Sequence, residues 1–144
     1  MQPLDLTKQA PRSPRAPLGN LDLVLAARTV DKLRATLPGG NIGDYQITGF
    51  TSRLINRLGI VEHQLRAVIA RAESDQEIAD WIAAHSDPSR YPEINAEFER
   101  QTVGERLGDA AFLERYPSAK DLPPETSRLD HLAIDDVEAF GEKA

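Results

Sequence analysis

The stretch from Leu18 to Thr36, L-G-N-L-D-L-V-L-A-A-R-T-V-D-K-L-R-A-T, constrains the fold more than any other part of the chain. Leu23, Ala26, Ala27, Val30, Leu33 and Leu37 recur at three- and four-residue spacing, which marks one apolar helix face. Asn20 suits an N-cap, Asp22 falls in the first turn where the helix dipole favours a carboxylate, and Pro38 with Gly39 and Gly40 stops the run. A central helix is predicted here. Its other side carries Arg28, Asp31, Lys32 and Arg34. At i,i+3 or i,i+4 spacing Arg28 reaches Asp31 and Lys32, while Asp31 reaches Arg34. Two readings follow: a solvated face with weak ion pairs, or a basic binding face on which Asp31 orients Arg28 and Lys32.

Residues 1–19 hold four of the ten prolines. Proline removes amide donors and pushes the preceding residue out of helical space, so an extended arm is expected. Leu4, Leu6 and Leu18 are too apolar for a free tail. The arm should therefore lie on the body and place Arg12 and Arg15 on rigid backbone; the plain alternative is a partly disordered terminus. Residues 20–144 are expected to form a single helical domain.

Downstream, Asn41–Gly49 reads as a loop with a few extended residues at Tyr45–Thr48. Phe50, Leu54, Ile55 and Leu58 give a short helix ended by Gly59, and Leu65, Val68, Ile69 and Ala72 give another. Ser74-Asp75-Gln76-Glu77 is a capping box that starts a helix carrying Ile78, Trp81, Ile82 and His85. Pro92 opens a helix to about Val103, and Asp109 caps a short one through Tyr116. Pro117, Pro123 and Pro124 make a loop before closing turns around Leu129–Phe140. The predicted fold class is all-α: a small orthogonal helical array with a proline-rich N-terminal arm.

The strings L-D-L-T-K-Q-A-P-R-S-P-R-A-P-L-G, A-A-R-T-V-D-K-L-R-A and G-D-Y occur in that order, with a weaker R-L-D-H-L-A-I-D-D near the end. Together they resemble the bacterial family catalogued as domain of unknown function 5069. The resemblance runs through the Trp81 region and implies that Arg12, Pro14, Arg15, Arg28, Asp31, Lys32 and Tyr45 belong to a shared pattern. It implies no activity. The G-F-T-S-R run at residues 49–53 departs from the family's more acidic, leucine-rich segment.

Composition removes several classes of function. The chain has no cysteine, so it has no disulfide, thiol nucleophile or cysteine metal site. No apolar run reaches the ~18 residues of a membrane span, and no secretory signal pattern opens the chain. A cytoplasmic protein is expected. A net charge of −6 argues against sequence-independent nucleic-acid binding. Residues 1–72 carry 10 basic and 5 acidic side chains, and residues 73–144 carry 7 and 18. This contrast supports an alternative in which halves of opposite charge associate, within or between chains.

No phosphate-cradling glycine loop, dinucleotide fingerprint or G-x-S-x-G elbow is present. His63, His85 and His131 lack the spacing of a helical metal pair, and Pro92 stands where the D-P-S-R-Y-P-E calcium-loop match needs glycine. Asp135, Asp136 and Glu138 read as a surface face or helix start. No metal and no cofactor is expected.

The charged residues of the first third then suggest a cofactor-independent enzyme, a lyase above all, acting on an aromatic, phenolic or anionic small molecule. Lys32 and Tyr45 are the candidate acid and base, with Asp31 tuning the lysine. Arg12, Arg15 and Arg28 are candidate substrate-binding residues, with Trp81 lining a pocket and His85 donating a proton. A tyrosine beside Arg28 or Lys32 has its anion favoured by positive charge. The plainer readings are a packing Tyr45, a core Trp81 and an exposed His85. The alternative function is a non-catalytic binding or self-assembly protein, a homo-oligomer using its basic and acidic halves. A regulatory nucleic-acid binder ranks below both, since no aromatic–basic interleaving occurs.

Overall fold

A computed structural model describes residues 1–140 and is all-α, with seven helices among the described residues. These are α1 (Ala26–Arg34), α2 (Phe50–Leu58), α3 (Glu62–Arg71), α4 (Asp75–Ala84), α5 (Tyr91–Glu99), α6 (Ala110–Arg115) and α7 (Arg128–Phe140). Contacts divide the chain into two compact units, Met1–Ile94 and Asn95–Ala144. No helix of the described residues is long and apolar enough to cross a membrane.

The first unit is built around α1, which packs against α2 and α3, while α3 also packs against α4. Every residue from Ala26 to Leu33 is buried, the polar ones included. The expectation of a solvated polar face is thus overturned: neighbouring chain covers it on that side as well. The helix is also shorter than predicted. Its N-cap is Leu25, in the left-handed region at φ 68°, and no acidic residue lies in its first turn. Asn20 is therefore not the cap, and Asp22 precedes the helix. The physical reason lies in Leu21, Leu23 and Leu25, all buried, with exposed Asp22 and half-buried Val24 between them. Two-residue alternation suits extended backbone better than helix. The turn into α1 is held by the Leu25 amide donating to the Pro14 carbonyl at 2.7 Å.

Residues 1–19 contain no helix, and Leu6 and Leu18 are buried at 1% and 0% exposure. Leu4 donates to the Arg34 carbonyl (3.3 Å), and Leu6 to that of Asn41 (2.7 Å). The Met1 ammonium donates to the carbonyls of Ile69, Ala70 and Ala72 at 3.0, 3.1 and 2.8 Å. These carbonyls lie at the C-terminal end of α3, where helix groups lack intrahelical donors and cations are favoured.

Local signals place the other ends. Gly59 closes α2 at φ 72°, a conformation that costs glycine nothing. Ser74 accepts from the Glu77 amide at 3.2 Å and Asp109 from the Phe112 amide at 3.1 Å, both as the sequence predicts. The extended residues predicted at Tyr45–Thr48 do not form a strand: Tyr45 and Gln46 are irregular, and a bend at Ile47 and a turn at Thr48 and Gly49 lead into α2. The helix predicted to Val103 stops at Glu99, residues 117–121 form a 3-10 turn, and the closing turns are the 13-residue α7.

In the second unit Val103, Phe112 and Ala119 form a small core with Leu107, Leu113, Tyr116 and Leu122 packed on it. The imidazole of His131 is also buried, edge-on to Tyr116 (4.8 Å) and Phe112 (5.7 Å). Arg128 lies over the Phe112 ring at 4.6 Å.

Candidate functional site

Helical spacing sets Arg28, Asp31 and Lys32 over one turn of α1, and tertiary contacts turn them into a buried cluster. They are 2%, 4% and 9% exposed. Taking an ion out of water costs several kcal/mol, so each must find compensating partners. Arg12 supplies those of Asp31. Its backbone amide donates to Oδ2 at 2.7 Å, Nε donates to the same oxygen at 3.1 Å, and Nη2 donates to Oδ1 at 3.0 Å. The same guanidinium reaches on to Asp75, Nη1 to Oδ2 at 2.7 Å. Arg28 Nη1 donates to the Arg12 carbonyl at 3.3 Å. Two residues of α1 thereby hold both ends of one peptide segment.

Partial burial lowers the Arg12 pKa, but the hydrogen bonds and charges of Asp31 and Asp75 outweigh it and raise the pKa above the usual arginine value. The guanidinium is a fixed cation. Asp31 also lies 3.9 Å from Arg34 Nη1, the i,i+3 pair expected from sequence. Asp31 is thus committed to arginines.

On the same turn Lys32 Nζ donates to the Gln46 carbonyl at 3.1 Å. The Tyr45 ring receives both cations, Arg28 Cζ at 5.6 Å and Lys32 Nζ at 5.8 Å from its centroid. A cation this close to an aromatic ring is attracted by its quadrupole. Arg12, Arg28, Asp31, Lys32 and Tyr45 are therefore brought together. Arg15 is exposed, with its amide donating to Ser13 Oγ at 3.4 Å.

Trp81 and His85 lie elsewhere in the first unit. They line a cavity of about 320 Å³ with Gln64, Ala67, Val68 and Arg71, and none of the six belongs to the α1 cluster. Trp81 is half-buried rather than core, and His85 is exposed. Among the described residues no group of three or more His, Cys, Asp or Glu is placed to hold a metal ion.

Sequence reading missed four contributors. Asp75 is legible as part of a capping box, yet its pairing with Arg12 spans 63 residues and has no local signal. Gln46 acts through its main chain, so its identity carries no information. Gln64 and Arg71 share one side of α3 by seven-residue spacing, but only the packing of α4 makes that side a wall.

A family model described as a domain of unknown function (DUF5069) matches residues 8–136, a span that takes in every residue of the cluster. No curated protein matches the chain. The match covers well over half of the sequence, and the chain belongs to the domain of unknown function 5069 family.

Proposed function

We propose that the chain is a cofactor-independent enzyme, best read as a lyase, moving protons on a small aromatic, phenolic or anionic molecule. One observation carries this reading: Arg28 and Lys32 are both buried and both face the Tyr45 ring. A helix that needed only packing would carry apolar side chains there, because apolar replacement of buried ions is often neutral or stabilising. Ionisable groups kept in such surroundings are candidates for chemistry.

In this reading Arg28 holds the substrate anion by charge-assisted hydrogen bonds. Lys32 exchanges its Gln46 carbonyl for the substrate, and Lys32 and Tyr45 act as the acid–base pair. The base removes a proton from the carbon beside the substrate's carbonyl. The electron pair of that C–H bond forms the double bond, and the leaving group departs with a proton from the acid. Asp31 takes a different part from the one its spacing suggests. It holds the Arg12 segment over the cluster and acts as a positioning residue. Entry requires the Tyr45 loop to move, and Gly43 and Gly49, at φ 59° and 86°, bracket it as hinges. A cytoplasmic setting suits a metabolite of this kind.

Charge-driven self-association has weaker support. The first compact unit carries 11 basic and 11 acidic residues and the second 6 and 12. The charge contrast between sequence halves therefore does not coincide with the compact units, and neither unit is net basic.

The test is proton exchange in D2O. Aromatic and aliphatic carboxylates, aldehydes and phenols are incubated with the protein and followed by proton NMR. Deuterium entering a C–H position, or release of a leaving group, with the wild type and not with Lys32→Met supports the reading. Exchange with no compound, or exchange undiminished in K32M and Y45F, rejects it.

A further inference from the structure

We propose that the groove between α3 and α4 is a separate binding site for a planar aromatic monocarboxylate. Its volume of about 320 Å³ lies at the small end of the range of ligand pockets, roughly 300–1,000 Å³. That suits one or two fused rings.

The wall on α4 is built in advance. The Trp81 and His85 rings are stacked, 4.2 Å between centroids and 19° between planes. His85 Nδ1 lies 2.8 Å from the Trp81 carbonyl. A carbonyl only accepts, so Nδ1 carries the proton and the imidazole is held in register with the indole. Helix α4 sends Ile78, Ala79 and Ile82 into the core but leaves Trp81, its largest side chain, half-buried on the groove. A flat apolar face held this way is a stacking platform for another ring.

The opposite wall sets the charge of the ligand. Gln64, Ala67, Val68 and Arg71 recur along α3 at three- and four-residue spacing, and Ala67 leaves room where a longer side chain would fill the groove. Arg71 is the one formally charged residue of the six. Among the described residues no protein acceptor takes the Arg71 guanidinium, the Gln64 amide or the Trp81 indole N–H. A single guanidinium matches a single carboxylate by two parallel hydrogen bonds. A phosphate dianion fits less well, because Arg71 is the one formally charged side chain of the lining and matches a single negative charge.

The chain has a single tryptophan, so a ¹⁵N-labelled sample gives one indole N–H resonance that reports this wall. The probes are 2-naphthoate and its uncharged counterpart 2-naphthamide. Saturable movement of the Trp81 resonance with naphthoate is expected, with binding of naphthamide weaker by about tenfold or more, a difference of ~1.4 kcal/mol. Arg71→Gln, an exposed substitution, should weaken naphthoate by a similar factor and leave naphthamide unchanged. His85→Leu should weaken both. The proposal is overturned if naphthoate produces no saturable shift, if both probes bind equally, or if R71Q leaves naphthoate binding intact.

Discussion

Arg12 meets the carboxylate of Asp31 from two directions, with its backbone amide at 2.7 Å and its guanidinium Nη2 at 3.0 Å. The second carboxylate on the same guanidinium, Asp75, is in a different environment. The Asp31 side chain is 6% exposed and that of Asp75 34%. Asp31→Asn should cost about 2–3 kcal/mol. That is below the ~3–5 of a fully buried broken pair, because Arg12 is itself one-third exposed. Asp75→Asn should cost at most about 1 kcal/mol, as for exposed pairs. Urea midpoints of the two variants, with the double mutant, measure the difference. Equal costs would mean that burial does not set the strength of this contact.

Substitutions at Lys32 and Tyr45 test the proposed acid–base roles separately from stability. Lys32→Met keeps an unbranched apolar side chain of similar length and removes the ammonium with its bond to Gln46 and its approach to the Tyr45 ring. Tyr45→Phe keeps the ring that both cations face. Both variants should melt within a few degrees of the wild type while proton exchange falls about 10²–10⁴-fold, the usual contribution of an acid or base. If either unfolds at room temperature, its group belongs to the framework instead.

Gly19 stands at φ 55°, and an added Cβ would lie 2.5 Å from Gln76 Oε1. That oxygen accepts from the Asn20 amide at 3.0 Å, and Gln76 Nε2 donates to Asn20 Oδ1 at 2.8 Å. Gly19→Ala therefore pays the left-handed penalty, about 1–2 kcal/mol, and displaces Gln76 from both bonds. The expected drop in denaturation midpoint should be largely absent in a Gln76→Ala background if the clash dominates. An undiminished drop there would assign the cost to backbone conformation.

His131 makes stability depend on pH. Burial first, then the charge of Arg128, push its pKa from 6.5 down to about 4, against a smaller opposing effect of Glu138. Neither ring nitrogen has a hydrogen-bond partner among the described residues. Above pH 6.5 neither folded nor unfolded chain protonates this ring. Between the two values the unfolded chain binds the proton and the folded one does not, so stability falls as pH is lowered. Below about 4 both are protonated and the loss is complete, about 3 kcal/mol at most. His131→Leu should flatten this part of the pH–stability curve. Identical slopes for wild type and variant between pH 6.5 and 4 would remove His131 as the cause.

The all-α class, the starts of α4 and α6 at Ser74 and Asp109, and the end of α2 at Gly59 were all legible along the chain, because each depends on residues within one turn of each other. The start of α1 was misread although its signal was present: Leu21, Leu23 and Leu25 alternate, but they run into a helical pattern that absorbs them. The cluster was legible as a list of residues and not as an arrangement. Spacing on a helix states which residues share a face, not whether that face meets water. Arg28, Asp31 and Lys32 are buried because residues 1–19 and the Tyr45 loop return across them, and the partners of Arg12 come from positions 31 and 75. Such long-range contacts are chosen by the packing of the whole first unit. Local propensity decided where this chain turns and coils, and tertiary structure alone decided which charges lost their water and what replaced it.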